Sequence, residues 1–148
     1  MGRHKSDSIE QQMAEAFMRD LLNRRLDLSL QPQSFKLNRR AQVQLDGFDE
    51  KKRTLCEVYA HIGPLKGGQP DKVAGDILKM LLVEKYLGGC WRKIYCFADE
   101  IAKRKLIGIS WLGACCSEFG IEPEVVELPK DKRVLILDAQ ARQTMVNK

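Results

Sequence analysis

Residues 41–62 read Ala41-Gln-Val-Gln-Leu-Asp46, then Gly47-Phe-Asp-Glu-Lys-Lys-Arg53, then Thr54-Leu-Cys-Glu-Val-Tyr-Ala-His-Ile62. The first segment alternates apolar and polar residues at period two, the signature of a strand with one wet face. The middle segment is a polar connection. The last is rich in β-formers and reads as a second strand. Together they predict an antiparallel hairpin, and a shorter strand around Ser34–Leu37 precedes it.

The chain outward from this hairpin alternates helices and strands. A helix is expected over about 8–27, with Asp7 and Glu10 as a capping pattern and Ile9, Met13, Phe17 and Leu21 as its buried stripe. Gly63 to Gly68 is a loop. A second helix follows over about 70–87, with Pro70 at its first position and Gly88-Gly89 as its stop. Trp91 to Phe97 is a short β-rich run. Glu100 to Phe119 is helical with a break near Gly108-Ile-Ser110, and a further strand lies within Ile121–Leu128. Asp131 to Met145 reads two ways: Val134–Leu137 looks like a strand, but Leu135, Asp138-Ala-Gln-Ala141 and the absence of a breaker favour a final helix. Trp91, Trp111 and Cys115-Cys116 are expected in the core. An antiparallel start followed by a β-α-β crossover predicts an α/β fold of three layers, α/β/α, around a mixed central sheet. One domain is expected over 1–148, with its core at about 8–128 and a C-terminal extension at about 129–148.

Composition limits the function classes. The 148 residues carry 25 Lys or Arg against 20 Asp or Glu, a net charge of +5, with 44% hydrophobic and 30% charged residues. These values fit an ordinary globular chain and exclude disorder, collagen and coiled coil as descriptions of the whole. The apolar runs are too short to span a bilayer, and MGRHKSDSIEQQ lacks the apolar core of a secretory signal. Five cysteines at irregular spacing, none in a CxxC pair, point to a reducing cytoplasm and away from a zinc or thioredoxin-like redox site. Lys66 precedes the glycines of the 63–68 loop, so the spacing of a Walker phosphate loop is absent.

Two carboxylates stand out by position. Asp46 closes the first hairpin strand and Glu57 sits mid-way along the second, flanked by Cys56 and Val58. A carboxylate within an apolar strand needs a cation or hydrogen-bond donors. Two such groups brought together across a hairpin would suit Mg²⁺ (or Mn²⁺), which takes one or two carboxylates with water and phosphate.

Over about residues 8–128 the order α-β-β-β-α-β, with Asp before a hairpin turn and Glu in the next strand, resembles the PD-(D/E)XK nuclease superfamily. The resemblance implies a restriction-endonuclease-like fold and metal-dependent hydrolysis of nucleic-acid phosphodiesters, with DNA as the working substrate. It assigns Asp46 and Glu57 to the metal and lets Glu15, with Glu10 as the alternative, stand for a carboxylate that some branches carry on the first helix. The superfamily has Lys two residues after the Glu, where this chain has Tyr59, a phenol that supplies no positive charge. The expected replacement is Lys72, which shares a helix face with Asp76 and Lys79, supported by Gln69 and Tyr59. The alternative is a nuclease-like domain that binds nucleic acid or a protein partner without catalysis. Specificity in so short a chain would come from nucleic-acid structure, a homodimer or a partner protein. The bland readings are a turn signal for Asp46, a solvated face for the helix lysines and Glu15, a strand-end residue for His61, and surface charge for Arg24-Arg25 and Arg39-Arg40.

Overall fold

The computed structural model describes residues 5–38 and 41–146; the Arg39-Arg40 pair lies outside them. The elements are α1 (Lys5–Leu26), β1 (Gln31–Lys36), β2 (Gln42–Asp49), β3 (Thr54–Tyr59), α2 (Gln69–Leu87), β4 (Arg92–Phe97), α3 (Glu100–Ile107), α4 (Trp111–Glu118), β5 (Ile121–Val125) and α5 (Lys130–Val146). One open sheet runs β1-β2-β3-β4-β5. The β1/β2 and β2/β3 pairs are antiparallel, while β3/β4 and β4/β5 are parallel. The mixed α/β sheet expected from the sequence is therefore present. The strands that cross over, β3 and β4, are the most buried, as both faces of a parallel pair must be covered.

Alternation along these strands builds two cores. Leu55, Tyr59, Tyr95 and Phe97 point to the side of α2, where Val73, Ile77, Met80 and Val83 meet them. Cys56, Val58, Ile94 and Cys96 point to the opposite side, against Ala14, Met18 and Leu22 of α1 and Ile136 of α5. The stretch taken for an extension thus contributes to a core. Its Gln140 also clamps the chain after β3, accepting from Ile62 N–H (2.7 Å) and donating to Ile62 O (3.2 Å).

Several expectations are corrected. α1 begins at Lys5, ahead of the Asp7–Glu10 pattern. Its buried stripe is Ala14, Met18 and Leu22, whereas Ile9 and Met13 are exposed and Phe17 and Leu21 only flank the core. The two stripes are offset by one position, and packing against the sheet selected the narrower one. The first hairpin strand does not end at Asp46: β2 continues through Gly47-Phe48-Asp49, and the turn is only 50–53. Asp49 fixes that turn by accepting from Lys52 N–H (3.0 Å) and from Ser29 N–H (2.8 Å). Trp111 is exposed and Phe119 half-exposed, because the two-turn α4 directs Leu112 and Cys116 inward and leaves its other flank bare. Trp91 is buried as expected, under the Arg53 guanidinium.

Candidate functional site

The β1/β2 register slips at one place. Gln31 faces Phe48 but Gln33 faces Leu45, so β2 carries one extra residue opposite Pro32. Proline has no N–H to give the ladder, and an edge strand such as β1 tolerates it at a bulge. The extra residue falls at Asp46-Gly47. A Cβ on Gly47 would stand 3.0 Å from Cys56 Cβ and 3.1 Å from Leu30 Cβ, tighter than side chains ordinarily pack, so any larger residue would have to push these neighbours aside. Bulges re-aim side chains, and the one re-aimed here is Asp46.

The last β2/β3 ladder pair is Gly47 with Cys56. One residue further on, side chains take over the strand-to-strand bonding. Asp46 N–H donates to Glu57 Oε1 (3.0 Å), and Val58 N–H donates to Asp46 Oδ2 (2.9 Å). Each of the two predicted carboxylates therefore bonds to the backbone of the other's strand at the end of a ladder. Glu57 is 2% exposed and Asp46 half-buried. Arg19 of α1 donates to the Asp46 carbonyl (3.3 Å) and holds the bulge from the other side.

α2 brings the cations. Lys79 Nζ lies 3.2 Å from Glu57 Oε2 and 3.6 Å from Asp76 Oδ1, and it donates to Gln44 O of β2 (3.2 Å). Lys72 Nζ is 3.1 Å from Asp76 Oδ2. Asp76 is itself buried and also accepts from the Tyr95 hydroxyl (2.7 Å). Three carboxylates and two ammonium groups thus form one network spanning β2, β3 and α2.

Its electrostatics follow from crowding. Burial, then the Asp46 and Asp76 charges, push the Glu57 carboxyl up to about 8, against the pull of Lys79. Burial also raises Asp46; Asp76 adds to this, while the Val58 N–H and the two lysines oppose it. Burial alone would lower the Lys79 ammonium, but Glu57, Asp76 and Asp46 more than offset it and raise the group. Tyr59, two residues after Glu57, is fully buried in an aromatic cluster with His61, Tyr95 and Phe97. Burial and Asp76 push its phenol to about 12, so it stays neutral, and its hydroxyl has no hydrogen-bond partner among the described residues.

The remaining predicted residues are placed as follows. Gln69 opens α2 and its Oε1 accepts from Lys66 N–H (2.8 Å), closing the 63–68 loop. Glu15 accepts from Gln11 (3.3 Å) and lies one helical turn before Arg19. Among the described residues no group of three or more His, Cys, Asp or Glu could hold a metal ion, so Glu15 does not complete a set with Asp46 and Glu57. Arg25 is tied to Glu124 and the Val125 carbonyl of β5. His61 stacks on Tyr59 with ring centroids 4.8 Å apart. All five cysteines are free. No helix among the described residues is long and apolar enough to cross a membrane.

Sequence reasoning singled out Asp46, Glu57 and the helix face carrying Lys72, Asp76 and Lys79. It missed Arg19 and Tyr95. The i, i+4, i+7 spacing marked both lysines equally, and only the way α2 crosses the sheet shows that Lys79 reaches Glu57. Comparison with known protein families, with curated proteins and with solved structures finds no match for the chain.

Proposed function

We propose that the chain is a nuclease of restriction-endonuclease-like fold that hydrolyses DNA phosphodiester bonds with the help of Mg²⁺ or Mn²⁺. One observation carries this reading. Asp46 and Glu57 converge from neighbouring strands at a bulge, both with raised pKa, and a lysine from another element stands on Glu57. Buried carboxylates side by side repel one another, and a divalent cation relieves that repulsion. Two protein carboxylates suffice for Mg²⁺, which keeps waters and takes phosphate oxygens. The donor set therefore fits the ion, with Asp46 and Glu57 as its holders and Asp46 Oδ1 making no hydrogen bond among the described residues. When bound, such an ion polarises the phosphodiester and lowers the pKa of the attacking water.

The chain's own groups do the rest. Lys79 supplies the charge that the superfamily draws from the strand position now held by Tyr59, offsetting phosphate charge and orienting the water beside Glu57. Asp76 holds Lys79 and Lys72 on the carboxylate side of α2. The orphaned Tyr59 hydroxyl is a neutral donor at the same face of the sheet. Arg19 fixes the backbone that carries Asp46.

One observation favours the second reading, a nucleic-acid or protein-binding domain without catalysis. Lys79 already occupies the Glu57 oxygen that a metal would use. Cleavage assays separate the two. Circular, linear, single-stranded and branched DNA, and RNA, are incubated with Mg²⁺, Mn²⁺ or EDTA. Metal-dependent cutting by wild type that is lost in Glu57→Ala is the expected result. Binding without cutting on every substrate would establish the second reading, and cutting that survives Glu57→Ala would remove Glu57 from the mechanism.

A further inference from the structure

α2 buries one face and leaves the opposite face bare. Along the bare face Asp71, Gly75, Leu78, Leu82 and Lys85 follow at steps of four, three, four and three, and all five are exposed. Such steps keep residues on one side of a helix, the spacing of a helix-to-helix seam. Leu78 is 67% exposed, with Leu82 and Tyr86 about half exposed beside it. The apolar surface continues across a groove of about 340 Å³ to α4, where Trp111 is also 67% exposed. An apolar surface of this continuity marks contact with another macromolecule.

The stripe is its own complement. In an antiparallel copy turned about an axis at Leu78, Leu78 meets Leu78. Gly75 then meets Leu81 and Ala74 meets Leu82, small against large on both sides. Asp71 meets Lys85, and the symmetry makes that opposite-charge pair twice. A parallel copy would instead set Asp71 on Asp71 and Lys85 on Lys85.

We infer that the chain forms a homodimer through the outer face of α2, antiparallel to its copy about a two-fold axis at Leu78, with Trp111 on the flank. Each contact of such an isologous interface occurs twice, so one well-matched pair counts double. Asp76 and Lys79 lie on a different flank of α2, against β2, β3 and β4, so the interface does not use the groups around Glu57. The interface holds whether or not that site is catalytic.

Sedimentation velocity and light scattering on the full chain, over a range of concentrations, test this. Wild type is expected as a dimer and Leu78→Glu as a monomer with unchanged circular dichroism. Asp71→Lys should raise the dimer dissociation constant by roughly tenfold, and adding Lys85→Asp should bring it back to near the wild-type value. Asp71 in the first turn and Lys85 in the last also suit the helix dipole. The double reversal sets both charges against that dipole, so its melting temperature should fall while its dimer returns, a combination that a purely intrahelical role does not produce. A wild type that is monomeric at every concentration, a dimer that survives Leu78→Glu, or a double variant that stays dissociated would each overturn the inference.

Discussion

Glu57 should make the protein less stable as the pH rises, and Glu57→Gln should remove that dependence. The carboxyl has a pKa of about 8 in the fold against 4.5 ordinarily, with burial the leading cause. Between these values the folded chain holds a proton that the unfolded chain has released. The stabilising contribution is therefore complete below about pH 4.5 and is lost as the pH climbs through 8. The loss runs at about 1.4 kcal/mol per pH unit at its steepest and totals about 5 kcal/mol across the window. That is a large share of the stability of a small domain. Glutamine keeps the carbonyl that accepts from Asp46 N–H and carries no charge to desolvate. Its amide nitrogen faces Lys79, whose side chain is 39% exposed and can turn to water. Urea denaturation followed by circular dichroism, from about pH 5 to about pH 8 without divalent metal, measures both proteins. The variant should match or trail wild type near pH 5 and exceed it by roughly 3 kcal/mol near pH 8. Parallel stability curves for the two proteins would refute the account of Glu57 as a carboxylate held at a cost.

Three other substitutions probe the site. Lys79→Ala should lower cleavage by roughly a hundredfold, as removal of a preorganised charge from a reacting centre does; Lys72→Ala, one partner removed from Glu57, should cost less, and initial rates under saturating Mg²⁺ compare them. Tyr59→Phe removes a buried hydroxyl with no partner among the described residues, so thermal denaturation should show stability unchanged or raised by about 1 kcal/mol. Gly47→Ala drives a methyl against Cys56 and Leu30 and should lower stability by about 1–3 kcal/mol in urea, with the bulge and hence metal affinity disturbed as well.

What could be read in advance depended on the range of the interactions. The type and order of the elements followed from local pattern, down to the break between α3 and α4 at Gly108-Ile109-Ser110, where Ser110 caps α4 through Gly113 N–H. The convergence of Asp46 and Glu57 was legible because a hairpin folds one strand onto the next. The bulge was not. It depends on Pro32 in a third strand, and Gly47 reads as a turn residue until the packing of Leu30 and Cys56 is known. The stripe of α1 was ambiguous because two apolar series run one position apart, and only the sheet beneath chooses between them. Trp111 read as core on size and hydrophobicity alone, which carry no information about which flank of a short helix faces outward. Which lysine contacts Glu57 was not legible for a related reason, since Lys72 and Lys79 lie on one helix face and the crossing of α2 over β3 brings Lys79 to Glu57 and leaves Lys72 on Asp76.

Thermal unfolding with and without metal decides whether Asp46 and Glu57 together hold a divalent cation. A ligand at a hundred times its dissociation constant adds about 2.7 kcal/mol to stability, enough for a shift of several degrees. Mg²⁺ and Mn²⁺ should raise the melting temperature of wild type, more near pH 8 than near pH 5.5, because protons on Glu57 compete with the metal. Asp46→Asn should abolish the rise at both pH values. A wild type indifferent to both metals, or a rise that persists in Asp46→Asn, would contradict the claim.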